Sequence, residues 1–239
     1  MFRWELTAGA VAELALLAGL WATAGLGVPG LLTGTTYALV SWAVLSVAFR
    51  RPRTGRFGPA NAVTLVRVVL IAAVVALAAD HLGRPSPAAL SAIAAVALVL
   101  DTVDGRVARA TGTSSELGGR FDIEADALLV LVLSVFAAAL LGSWVVAIGC
   151  LRYVFVAASW VAPWLRGPLP PSQARKVVGV FQGIALLVAA SGLLPRSASV
   201  AVVVLAFTSL VWSFGRDVVR LWQHRTRRTS PQRRRRAQA

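Results

Sequence analysis

Four aspartates carry the chemistry that this chain is equipped to do. Asp101 and Asp104 lie three residues apart, and Asp122 and Asp126 four apart; with Glu116 and Glu124 they put six of the ten acidic residues into 26 positions. On a helix, residues three or four apart share a face, so each pair presents two carboxylates in one direction. Like charges held this close disfavour one another unless cations sit between them. Clustered carboxylate oxygens are ligands for hard divalent ions such as Mg²⁺ or Mn²⁺. His81, His224 and Cys150 are distant in the chain, so no zinc-type set accompanies the acids. Carboxylates that hold metal ions, one of them serving as a base, suit phosphoryl transfer.

The elements that must position these residues are membrane helices. Of 239 residues, 57% are apolar and 14% charged, against about 25% charged in a soluble domain. Mean hydropathy is +0.73. This balance excludes a soluble globular enzyme, a disordered chain and a disulfide scaffold, and the single Cys150 has no partner for an intrachain bridge. Eight apolar runs, at 7–27, 31–49, 62–80, 88–104, 120–141, 143–163, 177–194 and 198–215, each match the roughly 17–25 residues of a transmembrane helix. Short turn signals separate some of them: Gly27-Val28-Pro29-Gly30, Pro85-Ser86-Pro87, Gly142-Ser143 and Pro195-Arg196. The expected fold is all-α, a polytopic membrane helix bundle.

Arginines set the orientation. Arg50, Arg51, Arg53 and Arg56 follow the second run, Arg106, Arg109 and Arg120 surround the connection between the fourth and fifth, and Arg166, Arg175 and Lys176 follow the sixth. Nine more arginines run from Arg216 to Arg236, while the opposite connections hold only Arg84 and Arg196. By the positive-inside rule both termini and every basic loop are cytoplasmic. Arg3, an apolar run and Ala22-Thr23-Ala24 have the layout of a secretory leader, but Glu5 and Glu13 interrupt it, so the first run is kept as a span. The surplus of 24 basic over 10 acidic residues points to anionic lipid; no nucleic-acid partner is expected. The arginine-rich tail, 221–239, reads as disordered and lying on anionic headgroups.

Placed on these spans, Asp101 and Asp104 end the fourth and Asp122 and Asp126 begin the fifth. Two antiparallel neighbours on a short loop would bring the four carboxylates to one depth near the cytoplasm. Gly105 leaves room for a ligand, Ala108 and Gly118 allow close helix approach, and the planar fork of Arg109 suits either a phosphate or one of the aspartates. Glu124 falls out of phase with Asp122 and Asp126 and is expected at the interface. Arg152, inside the sixth run, needs a partner or a function.

Residues 101–126, DTVDGRVARATGTSSELGGRFDIEAD, resemble the CDP-alcohol phosphatidyltransferase signature, D-x2-D-G-x2-A-R-x8-G-x3-D-x3-D, at all eight positions and without adjusted spacing. The resemblance implies an integral membrane enzyme with a six-helix core, usually a homodimer, that transfers a phosphatidyl group from CDP-diacylglycerol to an alcohol and releases CMP. It further implies that Asp101, Asp104 and Asp122 hold two ions, Mg²⁺ or Mn²⁺, that Asp126 contacts a metal and acts as general base, and that Gly105, Ala108, Arg109 and Gly118 lie on the nucleotide side. Asn61, Thr64 and Arg67 resemble the family's Asn-x2-Thr-x2-Arg entry to its first core helix; Asn61 and Thr64 would approach the nucleotide, or simply cap the helix. Residues 172–182 resemble in part a stretch on the acceptor side, with Arg175 and Val178-Gly179 departing from it.

The domains that follow are two extra N-terminal transmembrane helices over 1–49, a juxtamembrane amphipathic segment over 50–61, a six-helix catalytic membrane domain over 62–220 and the tail. Arg152, Arg175, Lys176 and Arg216 collect near the aspartates and suit a phosphorylated acceptor such as inositol phosphate, glycerol 3-phosphate or phosphatidylglycerol; Arg175 and Lys176 equally satisfy the positive-inside rule. A bacterial-type plasma membrane is the expected location. The competing readings are an Asp-rich-motif prenyltransferase and a cation-coupled transporter. The insert between the aspartates argues against the first, and acids near one membrane face argue against the second.

Overall fold

The computed structural model describes residues 3–48, 59–84, 86–111, 116–167 and 172–229. Among these residues eight α-helices follow in order: α1 (Arg3–Ala24), α2 (Val28–Ala48), α3 (Pro59–Asp80), α4 (Ala88–Thr111), α5 (Glu116–Leu141), α6 (Val146–Val161), α7 (Gln173–Ser191) and α8 (Arg196–Thr229). Three-ten turns at Ser143–Val145 and Pro163–Arg166 flank α6. Among the described residues there is no strand, and the all-α membrane bundle expected from the sequence is what forms. Among the described residues, six stretches are long and apolar enough to cross a bilayer: Thr7–Ala24, Ala62–Asp80, Asp122–Leu141, Ser143–Val161, Gln173–Ser191 and Arg196–Gln223. Helix α2 has 21 residues and no charge, about 32 Å at 1.5 Å per residue. The apolar part of α4, Ala88–Asp101, is shorter and passes into the polar DTVDGRVARAT.

Local chemistry explains the boundaries. Proline opens α3 at a position where its missing N–H costs nothing. Gly192 ends α7 in the left-handed region at φ 69°, where a side chain would be strained. The last helix differs from expectation. The stretch from 221 reads as disordered from its composition, but α8 continues to Thr229. Leu, Gln and Arg are good helix formers, and extending an existing helix avoids the cost of nucleating one. Trp222 also meets Trp164 edge-on at 5.5 Å, which holds this end of α8 against the Pro163–Arg166 turn. Residues 49–58 and 230–239, and so most of the juxtamembrane segment and the end of the tail, lie outside the described residues.

Helix α3 is the axis of the bundle. It packs on α1, α2, α4 and α5, and Ile71, Ala72, Ala73, Val74, Ala76 and Leu77 are all buried. Contacts between α4 and α5 are slight beside those each makes with α3. Among the described residues the two aspartate-bearing helices are therefore not packed side by side, as a short loop suggested; α3 lies between them. Small residues allow this crowding, because helix association in lipid depends on close packing. On α2, a Cβ at Gly30 would stand 2.8 Å from the Ala76 carbonyl oxygen, and one at Gly34 would stand 2.9 Å from the Ala76 Cβ. Replacing Gly34 by Val should push α2 off α3 and cost about 1–3 kcal/mol. A detergent melting curve unchanged from wild type would contradict this packing.

Two polar contacts tie the N-terminal helices together and to α3. The Gly27 N–H donates to Asp80 Oδ1 at 2.9 Å, so the C-terminal end of α3 supplies an acid to the N-terminus of α2, where the helix dipole favours it. Glu13, inside α1 and 3% exposed, accepts a hydrogen bond from Ser41 Oγ of α2 at 3.2 Å.

Candidate active site

The site is built around a buried arginine. Arg67 sits on α3 with no exposed surface, between the two helices that bear the aspartates. Its Nη1 meets Asp101 Oδ1 of α4 at 2.6 Å. Its Nη2 lies 3.1 Å from Asp126 Oδ1 of α5 and makes a close ion pair with Asp122. The same Nη2 donates to the Asp122 backbone carbonyl at 3.1 Å. One guanidinium thus holds carboxylates from two helices, with a planar fork that a lysine lacks. The aspartates lie above it: their side chains are 27%, 30% and 41% exposed for Asp101, Asp122 and Asp126, against 0% for Arg67. The cluster has a sealed cationic floor and an open carboxylate rim.

One oxygen from each of Asp101, Asp122 and Asp126 lies within 4.8 Å of the others. Three carboxylates against one guanidinium leave a formal charge of −2. An all-oxygen donor set with excess negative charge fits a hard divalent ion and not zinc. The convergence expected for Asp101, Asp122 and Asp126 is present. The side chains of Asn61, Asp104, Ala108 and Arg109 lie outside the described residues, as do Gly105 and Gly118 beyond their helical backbone. Thr64 is buried one turn from Arg67.

The expected acceptor cations fall in two places. Arg152 of α6 pairs with Glu124 of α5, which gives Arg152 the partner that the sequence left open. Arg175 and Arg216 share Asp217: Arg175 Nε lies 3.6 Å from Oδ2, and Arg216 Nη2 3.9 Å from Oδ1. Arg216 also donates to Ser172 Oγ at 2.9 Å and stacks 4.8 Å over the Trp212 ring. Lys176 is exposed. Gln182 is buried, and its Nε2 has no hydrogen-bond partner among the described residues.

Sequence reasoning missed two roles. The sequence marks Arg67 only as the last letter of an entry motif. An arginine inside an apolar run always needs a partner, and that rule, applied to Arg152, would have singled it out too. Asp217, 5% exposed, is an isolated acid in an arginine-rich segment, and no local spacing marks it as an anchor for two cations.

A bundle of apolar helices with a carboxylate cluster over a buried arginine has the make-up of a membrane-embedded enzyme of phosphoryl transfer. Residues 57–212 match the family model for CDP-alcohol phosphatidyltransferase, and the chain belongs to that family. Comparison with curated proteins and with solved structures gives no match. The matched region begins just before α3 and ends within α8, so α1 and α2 lie outside it.

Proposed function

We propose that this protein transfers a phosphatidyl group from CDP-diacylglycerol to a hydroxyl of a phosphorylated polyol and releases CMP. The observation that carries the reading is the trio of Asp101, Asp122 and Asp126 converging on Arg67 within the family region. Asp101, Asp104, Asp122 and Asp126 would hold two ions, Mg²⁺ or Mn²⁺. When bound, these ions would neutralise the diphosphate and the charge that builds on departing CMP. Asp126, with the most exposed side chain of the three, takes the proton from the acceptor hydroxyl. That oxygen bonds to the phosphatidyl phosphorus as the bond to CMP breaks. Arg67 keeps the carboxylates converged and offsets part of their repulsion throughout. Asn61, Thr64, Gly105, Ala108, Arg109 and Gly118 line the nucleotide side.

On the acceptor side stand Arg175, Lys176 and Arg216, the two arginines aimed by Asp217; Arg152 would join them only by leaving Glu124. A phosphate-bearing acceptor, whether inositol phosphate, glycerol 3-phosphate or phosphatidylglycerol, matches this charge better than free serine does. The catalytic membrane domain spans 62–220, preceded by the two N-terminal helices of 1–49 and the segment 50–61. The protein works as a homodimer in a bacterial-type plasma membrane, with the site and both termini cytoplasmic.

The test is CMP release from CDP-diacylglycerol by purified protein with Mg²⁺ or Mn²⁺, across a panel of acceptors. One phosphorylated acceptor should support release, and no turnover with any acceptor from folded protein would sink the assignment. With that acceptor, Arg175→Ala should raise KM at least about tenfold, the loss of one charge-assisted contact, with a smaller change in kcat. An unchanged KM would remove Arg175 from the acceptor side.

A further inference from the structure

Between α2, α3 and α5 runs a groove of about 510 Å³ that the reaction as described does not use. Leu32, Tyr37 and Val40 of α2, Val68 of α3, and Ala125 and Leu128 of α5 form its walls. It opens on the outer face of the bundle, where Leu32 and Val40 are exposed. Its α2 wall lies outside the family region.

Two observations say what fills it. The first is continuity with the site. Ala125, on the groove's wall, directly precedes Asp126 on α5, and Val68 directly follows Arg67 on α3. A lipid with its phosphates at the aspartates has this trough beside it. The second is an open hydroxyl. Thr33 and Thr36 turn their hydroxyls back onto the carbonyls of Pro29, Gly30 and Leu32, and Ser41 is engaged by Ala38 and Glu13. Tyr37 alone among the hydroxyls lining the groove makes no hydrogen bond to the described residues, and it lies within electrostatic reach of Glu13 and of Arg67. A phenol on an apolar wall calls for an acceptor.

We propose that this groove seats an acyl chain of the CDP-linked donor, with the Tyr37 hydroxyl donating to the ester carbonyl where the chain begins. The N-terminal helices then select the donor by tail and linkage: an ester-linked lipid offers the carbonyl and a dialkyl ether lipid does not. This rests on the phosphatidyltransferase reading of the adjoining site.

The experiment uses the full-length protein in nanodiscs and CDP-diacylglycerol with a photoactivatable group in one tail. Adducts should map to α2 between Leu32 and Val40 and to α5 near Leu128, and excess CDP-dioleoylglycerol should displace them. Tyr37→Phe should weaken competition by the diester donor about fivefold, the loss of one neutral hydrogen bond, and leave competition by the dialkyl analogue as it was. Thr36→Trp, which fills the trough, should lower labelling about tenfold, as loss of a few buried methylenes does. Adducts elsewhere, or groove adducts that CDP-dioleoylglycerol fails to displace, would overturn the proposal, the latter marking bulk lipid. CMP release, measured in parallel, separates the two readings. Release with labelling elsewhere removes the groove and keeps the transfer; displaceable groove labelling without release does the reverse.

Discussion

Asp126→Asn is expected to lower the rate of CMP release by about 10³-fold, within the range that a positioned general base supplies, while the protein remains folded. The asparagine keeps the size of the side chain and an oxygen that can still accept from Arg67 Nη2, now 3.1 Å away. It loses the ability to take a proton and is a poor ligand for a hard cation. The effect should fall on kcat, with melting temperature close to wild type. A variant within tenfold of wild-type turnover would show that the proton goes elsewhere, and Asp101 or Asp122 would then be the groups to examine.

Arg67 should be the most sensitive position for stability. It is wholly buried and faces three carboxylates from two helices. Arg67→Met leaves those charges facing one another with no counterion. Breaking a buried pair on one side typically costs about 3–5 kcal/mol, which would appear as a large fall in melting temperature in detergent. Lysine should rescue little, since one ammonium cannot span Asp101, Asp122 and Asp126 as a fork does. The distinguishing result is the response to Mg²⁺. A cation bound only by the folded state stabilises it, and the variant has more unbalanced charge to offset. Added Mg²⁺ should therefore raise the melting temperature of Arg67→Met more than that of wild type. Equal gains, or a variant as stable as wild type without divalent ions, would mean that Arg67 does not balance the cluster.

The spacing of the aspartates was legible because helix periodicity alone puts Asp122 and Asp126 on one face, and charge cost alone says they need cations. The bundle was legible because apolar runs of this length have few other fates. What lay beyond reach was tertiary. No periodicity says that α3, and not direct packing, joins α4 to α5, so the place of Arg67 beneath the cluster could not be derived from the motif that contains it. The partner of Glu13 shows only in the fold, because Ser41 is an ordinary hydroxyl on another helix. Asp217 was one more acid to count until the fold set it between Arg175 and Arg216. The continuation of α8 to Thr229 was hidden by composition, since a basic run reads alike whether helical or not.

The pairing of the two ionisable residues buried in α1 and α3 also has a consequence during synthesis. Glu13 finds Ser41 within the first two helices, so that hairpin can enter the bilayer with its buried acid already satisfied, before the family region leaves the ribosome. Arg67 is in the opposite position. Its first carboxylate, Asp101, comes 34 residues later, and Asp122 comes 55 residues later. An arginine within an apolar helix is costly in lipid until it is paired, and domains form as the chain emerges from its N-terminus. Helix α3 therefore carries its arginine without these carboxylates until α4 and α5 arrive. The hairpin of α1 and α2, which precedes it, packs on its other side.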